Sequence, residues 1–154
     1  MTNAIETRLA ELGLTLPDAP APAANYVPYV ISGSQLFISG QIAMKDGAFW
    51  TGKAGLDLDA DEAARAARSC ALSLIAQARA ATGGDLGRIK RVVKLVGFVN
   101  STPDFTEQPK VINGASDLMV AVFGEAGRHA RSAVSAAALP FNVAVEIEGI
   151  FELT

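Results

Sequence analysis

Three charged residues lie in an otherwise apolar segment near the C-terminal end, residues 131–150. The segment has the pattern of two β-strands around a turn at residues 139–140, with Arg131 opening the first strand and Glu146 and Glu148 inside the second. A charged side chain in a segment suited to burial is costly unless another group pairs with it. These three residues are therefore the first candidates for binding and catalysis.

The composition is that of a single well-packed domain. The chain has 154 residues, of which half are hydrophobic and 19% are charged, enough for one hydrophobic core. The net charge of -3 and the pI near 5.1 argue against a nucleic-acid-binding surface, which is usually basic. The positive mean hydropathy indicates that a partner subunit covers some apolar surface. No apolar run approaches the roughly 20 residues of a membrane-spanning helix.

The chain contains one cysteine, Cys70, and one histidine, His129. A single cysteine forms no intrachain disulfide and no signal peptide is visible, so we expect a cytoplasmic protein. One cysteine and one histidine are too few for a zinc site of the usual nitrogen and sulfur type, and we expect no metal. Cys70 lies among small residues of a predicted helix, where a packed structural thiol is favoured over a nucleophile.

Residues 1–24 are predicted to form a helix and a linker ahead of a single domain at residues 25–154. Asn3 can cap a helix that ends near Gly13. Three prolines between residues 16 and 24 predict an extended linker. We therefore expect the first helix to be an addition to the main domain.

The remaining elements are predicted in the order ββαβαββ. They are two strands within residues 26–41, a loop at 43–58, a helix from 59 to about 82, a strand at 89–100, a helix from 106–109 to 124, and the two strands of the C-terminal segment. In the loop, Trp50 is interpreted as packing on its own domain or on a neighbour. This order predicts an α+β fold with one sheet and two helices packed on one of its faces.

The second face of the predicted sheet is also expected to be covered. Its strands are too apolar to meet water, since little polar surface is left by Ala133, Val134, Val143 and Val145. Association with further copies of the chain through this face is the simplest way to cover it.

Four short motifs along the chain carry a family resemblance. The most specific is the terminal pattern ArgSerAlaVal…LeuPro…ValGluIleGlu, which begins at residue 131. It is preceded by ProTyrVal at 28–30, IleSerGlyGlnIle at 38–42 and PheValAsn…AspPhe at 98–105. Over roughly residues 20–153 the chain resembles the RidA/YjgF reactive-intermediate deaminases, also described as endoribonuclease L-PSP or translation inhibitors.

This resemblance implies a chorismate-mutase-like fold and a homotrimer with ligand clefts between its subunits. It implies hydrolysis of enamine and imine intermediates, with a 2-imino acid as the small carboxylate substrate, 2-keto acid and ammonia as products, and no cofactor. The chain departs from the family pattern at Ala133, where many members carry cysteine, and in its N-terminal helix and 43–58 loop. We therefore expect a divergent subgroup with a substrate of its own.

The resemblance assigns the two catalytic candidates. Arg131 matches the family's carboxylate-binding arginine, and Glu146 matches a glutamate that could orient or activate the attacking water. The alternatives are a structural ion pair from Arg131 to Glu146 or Glu148, and a Glu146 that only positions other groups. Glu148 matches no functional residue and is expected to face solvent or to pair structurally.

Four further residues match the family's ligand pocket. Tyr29 matches a tyrosine that closes the pocket, Ser39 and Gly40 match the strand end beside the ligand, and Asn113 matches a helix asparagine near the cleft. The alternatives are core packing for Tyr29, a strand-turn role for Gly40, and hydrogen bonds to backbone alone for Asn113. His129 could lie at the cleft mouth, but a surface loop is favoured.

Two other functions stay open. A non-catalytic or regulatory trimer would bind small carboxylates through Arg131 without converting them. An endoribonuclease is disfavoured, because the chain is acidic and lacks the paired histidines, or histidine and lysine, common in RNA cleavage.

Overall fold

The structure, a computed structural model, describes residues 3–22 and 24–154. Within these ranges, the helices and strands are α1 (Ala4–Glu11), β1 (Tyr29–Ser32), β2 (Gln35–Ile42), β3 (Met44–Lys45), β4 (Ala48–Phe49), α2 (Ala60–Ala81), β5 (Ile89–Asn100), α3 (Gln108–Phe123), β6 (Ala130–Ala136) and β7 (Val145–Leu153). The predicted order is confirmed, with one additional short hairpin, β3-β4. None of the helices in these ranges is both long and apolar enough to cross a membrane.

Five strands form one sheet in the order β1-β2-β7-β5-β6. Neighbouring strands are antiparallel except for β5 and β6, which run parallel. The two strands of the C-terminal segment therefore do not pair with each other but lie on opposite sides of β5. The chain between them contains a 3₁₀ turn at Pro140–Asn142.

The helices α2 and α3 pack on one face of the sheet, which confirms the predicted α+β fold. Strand β7 shows why the helices cover one face: every second residue along the strand is buried, and these residues all project from the same face of the sheet. α2 is mostly alanine on its buried side, so it approaches the sheet closely. In α3 the predicted apolar stripe is buried in full: Val111, Ala115, Leu118, Val122 and Phe123.

The other face of the sheet carries exposed apolar side chains. Phe37 is 44% exposed and Val134 is 45% exposed. The prediction of an apolar second face is confirmed for Val134 but was wrong for Val143 and Val145, which are fully buried. Val145 belongs to the alternate set of β7 residues that lies beneath the helices.

Ala133 was also assigned to the wrong face. It lies in register with Gly97, which is buried, and it packs against the hydrophobic core. The register of β6 on β5 thus places Ala133 on the helix side of the sheet, beside Arg131 in the alternating pattern.

The N-terminal helix is docked on the rest of the molecule. Asn3 caps it as predicted, because the Asn3 side chain accepts a hydrogen bond of 2.9 Å from the Glu6 backbone N–H. Leu9 is buried in the hydrophobic core. The Arg8 Nε donates to the Ala121 carbonyl oxygen of α3 at 2.9 Å, so α1 is held by polar as well as apolar contacts.

The 43–58 segment was predicted to be a loop but contains the hairpin β3-β4. Asp46 and Gly47 form its turn with φ angles of 53° and 79°, as a two-residue hairpin turn requires. Trp50 packs on the core of its own domain, one of the two predicted possibilities. The Lys45 Nζ lies 4.9 Å from the Trp50 ring centroid, a cation–π contact that ties the hairpin to this residue.

Replacing Gly114 by alanine tests how closely α2 and α3 pack. A Cβ at this position would collide with the backbone carbonyl of Ala64 in α2, and a backbone cannot move aside as a side chain can. In a helix, alanine is otherwise favoured over glycine by about 1 kcal/mol. We expect Gly114→Ala to lower the free energy of unfolding by about 2 kcal/mol or more in urea denaturation at a fixed protein concentration.

The exposed neighbouring position provides the control for this measurement. Asn113→Ala should change the free energy of unfolding by less than about 0.5 kcal/mol. A Gly114→Ala variant at least as stable as the wild type would contradict the close helix packing.

Candidate functional site

A cavity of about 550 Å³ opens beside β2 and β7. Its lining is mostly apolar and includes two prolines of the proline-rich segment and Tyr26, together with Phe49 and Phe141. Among the described residues that line the cavity, Glu146 alone carries a charge. The cavity therefore suits a ligand with an apolar part and one group that interacts with a carboxyl.

Gly40 makes room for the Glu146 carboxylate. The pairing of β2 with β7 is interrupted by a bulge between Ile38 and Gln41, and Gly40 lies within it. A Cβ on Gly40 would collide with the Glu146 carboxylate, so the glycine allows the carboxylate to lie against the backbone of β2. The adjacent Ser39 fixes this region, because its hydroxyl donates to the Val27 carbonyl oxygen at 2.8 Å.

The environment of Glu146 favours its protonated form. Burial, and to a smaller extent the charge of Glu148, raises the pKa of the Glu146 carboxyl above that of an ordinary glutamate. Within residues 3–22 and 24–154, no side chain forms an ion pair with Glu146. A carboxyl whose pKa is raised toward neutral pH is better suited to exchange protons with a bound water.

The aromatic part of the cavity is held by a constrained turn. The Phe141 ring stacks on the Phe49 ring with centroids 4.8 Å apart. Phe141 and Asn142 both have left-handed φ angles, 57° and 58°. Asparagine adopts this conformation readily, but a bulky residue such as phenylalanine adopts it only when its surroundings impose it. The buried Asn100 contributes to this, since its side-chain N–H donates to the Asn142 side-chain oxygen at 3.0 Å.

Arg131 lies at the other side of the molecule, between β6 and α3. Its Nη1 donates to the Ser116 hydroxyl at 3.1 Å and its Nη2 donates to the Pro109 carbonyl oxygen at 3.3 Å. The side chain is partly exposed on the edge strand of the sheet. The ion pair with Glu146 or Glu148 does not occur within the chain, and the described residues place no carboxylate at ion-pair distance from Arg131.

His129 is part of the same group. It is half-buried, and its Nδ1 lies 2.6 Å from the Gly127 carbonyl oxygen, while its Nε2 lies 2.9 Å from the Ser116 hydroxyl. The favoured interpretation, a loop histidine, agrees with its position just before β6, but the loop is not free, because both ring nitrogens are engaged. Ser116 thus joins the histidine to Arg131.

Asn113 lies beside these residues on α3. Because positions three and four apart share a helix face, Pro109, Asn113 and Ser116 lie on the same side of α3. Asn113 is exposed, and its side chain makes no hydrogen bond to any residue in the described part of the chain. Its predicted partners, backbone groups of the same chain, are therefore not observed.

The sheet separates the two groups of candidate residues. In the β5–β6 register Arg131 lies beside Leu95, which is buried beneath the helices. Glu146 lies beside Phe98, which is paired in turn with the exposed Val134. Arg131 and Glu146 therefore project from opposite faces, and a single chain does not bring them together.

The remaining candidates have structural positions. Tyr29 packs against the hydrophobic core in register with Ile38, and the tyrosine that lines the cavity is Tyr26. Cys70 is fully buried, which raises the pKa of its thiol and confirms the prediction of a packed thiol. Glu148 is exposed on the open face of the sheet.

Several residues that line the cavity beside β2 and β7 could not be predicted from the sequence. Tyr26, Phe49 and Phe141 come from three separate segments, and no spacing in the sequence joins them. For Ser116 the available signal was its position three residues after Asn113, on the helix face already assigned to the cleft.

Two close relatives resemble the chain along nearly its whole length. Protein TCP17 of Trypanosoma cruzi is 55% identical over 151 residues, which cover 97% of this chain and 94% of the relative. The crystal structure of Atu1372 from Agrobacterium tumefaciens, a protein described as having unknown function, is 54% identical. It matches with a TM-score of 0.89 over 98% of this chain and 94% of its own.

A more distant similarity connects the chain with RidA. The crystal structure of RidA from Psychrobacter sp. PAMC 21119 is 27% identical and matches with a TM-score of 0.58, over 88% of this chain and 94% of its own. The lower score agrees with the predicted divergent subgroup. A family model described as "YjgF/chorismate_mutase-like, putative endoribonuclease" matches residues 6–153, and the chain therefore belongs to the YjgF/chorismate-mutase-like family.

Proposed function

We propose that the protein hydrolyses 2-imino acids to 2-keto acids and ammonia. Water adds to the carbon of the C=N bond, and the resulting carbinolamine loses ammonia as the C–N bond breaks. The reaction consumes one water and requires no cofactor. The protein needs to hold the substrate carboxylate, place a water and move protons, so positioning and electrostatics carry the catalysis.

The unneutralised charge of Arg131 is the observation that carries this proposal. A guanidinium group has five N–H donors, and the two hydrogen bonds to Ser116 and Pro109 leave three of them for a ligand. A carboxylate matches the planar donor geometry of the group and supplies the missing negative charge. The exposed Asn113 on the same helix face is a second donor that a bound substrate would meet.

Glu146 is proposed to handle the protons. As a carboxylate it accepts a proton from the attacking water, and as a carboxylic acid it donates one to the departing nitrogen. The raised pKa supports both roles, because the group can exist in either form closer to neutral pH. Ser39 and Gly40 keep the backbone of β2 close to the reacting atoms.

A complete site is proposed to form between two copies of the chain in a homotrimer. Since Arg131 and Glu146 project from opposite faces of the sheet, a second copy is needed to bring one near the other. The apolar open face supports this association, because large side chains such as Phe37 and Val134 are exposed in the single chain.

RNA cleavage, the activity in the family description, has less support. His129 is the single histidine of the chain, and both its ring nitrogens are already hydrogen-bonded. The net charge of -3 also disfavours a polyanionic substrate.

Carboxylate binding without turnover would need Arg131 but not Glu146, so variants at these two positions distinguish it from the proposed reaction.

Substitution of Arg131 tests carboxylate binding. With imino acids generated in situ by an amino-acid oxidase, Arg131→Ala should lower kcat/KM for keto-acid release by about 100-fold or more. That loss corresponds to about 3 kcal/mol of transition-state stabilisation, which is the free energy typically lost when one partner of a hydrogen-bonded charge pair is removed. Arg128→Ala is the matched control, because this exposed arginine pairs with Glu125 and should leave turnover unchanged. Equal turnover by wild type and Arg131→Ala would refute the role of Arg131.

A double-mutant cycle tests the contact between Gly40 and Glu146. Gly40→Ala should displace the Glu146 carboxylate and reduce kcat by about tenfold or more, while costing little stability because the obstructing group is the end of a flexible side chain. In a Glu146→Gln background, where the catalytic carboxylate is already gone, Gly40→Ala should have little further effect on kcat. Fully additive losses would show that Gly40 acts through something other than Glu146.

A further inference from the structure

We propose that Ser116 and His129 are positioning residues that hold the Arg131 guanidinium ready for the substrate carboxylate. This inference rests on the proposed function, because it concerns the same carboxylate-binding group. It extends that function by assigning a role to Ser116, which contacts Arg131, and to His129, which contacts Ser116. Neither residue is proposed to touch the reacting atoms.

The hydrogen bonds in this group can be given directions. The Gly127 carbonyl oxygen can only accept, so the His129 Nδ1 carries the proton in their 2.6 Å contact. In a neutral ring Nε2 then has no proton and accepts the Ser116 hydroxyl hydrogen at 2.9 Å. The Ser116 oxygen is left to accept from the Arg131 Nη1 at 3.1 Å.

The resulting chain of hydrogen bonds runs from Arg131 through Ser116 and His129 to the backbone. Two different elements hold this chain in place, since Ser116 lies on α3 and the Gly127 carbonyl lies in the 3₁₀ turn that follows α3. The Pro109 carbonyl, one further point on α3, holds Nη2. A long, partly exposed arginine side chain is thereby restrained at two of its terminal atoms.

Such restraint should act on substrate binding more than on chemistry. An arginine already held in its binding geometry loses less rotational freedom when a carboxylate binds. The carboxylate is present in both the substrate and the transition state, so the stabilisation is uniform. Loss of the restraint should therefore raise KM and leave kcat nearly unchanged.

Substitutions at Ser116 provide the test. Ser116→Ala should raise KM for the imino acid, and the Kd for 2-oxobutyrate in calorimetric titration, by about tenfold, with kcat within about twofold of wild type. Ser116→Thr retains a hydroxyl and should restore both constants to within about twofold. Asp117→Ala, an exposed neighbour on α3, should change neither constant.

A second pair of variants covers the case in which Ser116→Ala fails to fold. His129→Leu removes the acceptor for the Ser116 hydroxyl and should raise KM and the Kd, whereas His129→Gln supplies a side-chain oxygen and should raise them less. Unchanged constants in Ser116→Ala and His129→Leu, beside an active wild type, would overturn this inference alone. A wild type that neither binds 2-oxobutyrate nor releases keto acid would overturn the proposed function and this inference with it.

Discussion

The alternation of side chains along β7 is the constraint on which the rest of the structure depends. Because β7 lies between β2 and β5 at the centre of the sheet, its buried side chains support the helices and the others project from the opposite face. Glu146 belongs to the second set, and Gly40 leaves it room against β2. A shift in register by one residue would place all three glutamates of the strand beneath the helices, so the register that builds the core also places the Glu146 carboxyl.

The position of β7 also explains why the candidate site residues lie in two separate groups. Arg131 is anchored to α3 on the helix side, while Glu146 lines an apolar cavity on the open side. Each half is organised by its own contacts: the arginine by Ser116 and Pro109, and the cavity by the stacked Phe49 and Phe141 rings. In the proposed trimer, a site split in this way would give a reason for the apolar open face, because the face that joins copies of the chain would also join the two halves of the site.

Much of the fold could be predicted because α2, β5 and α3 have long, regular patterns with clear ends. The β3-β4 hairpin could not, since its strands have two residues each and only the turn residues Asp46 and Gly47 mark it. The site residues could be found as charges in apolar strands, but their grouping depends on β6 pairing parallel with β5. That pairing, and the contact between Ser116 and His129 across 13 positions, leave no local trace in the sequence.

The central claim, that one site takes Arg131 from one copy and Glu146 from another, is tested most directly by mixing two inactive variants. Arg131→Ala and Glu146→Gln chains are unfolded together and refolded in equal amounts, and mixed trimers are verified by native mass spectrometry. In a cyclic trimer each mixed assembly contains one intact site, so random mixing should restore about a quarter of wild-type keto-acid release. Mixed trimers that remain as inactive as either variant alone would contradict a site shared between copies.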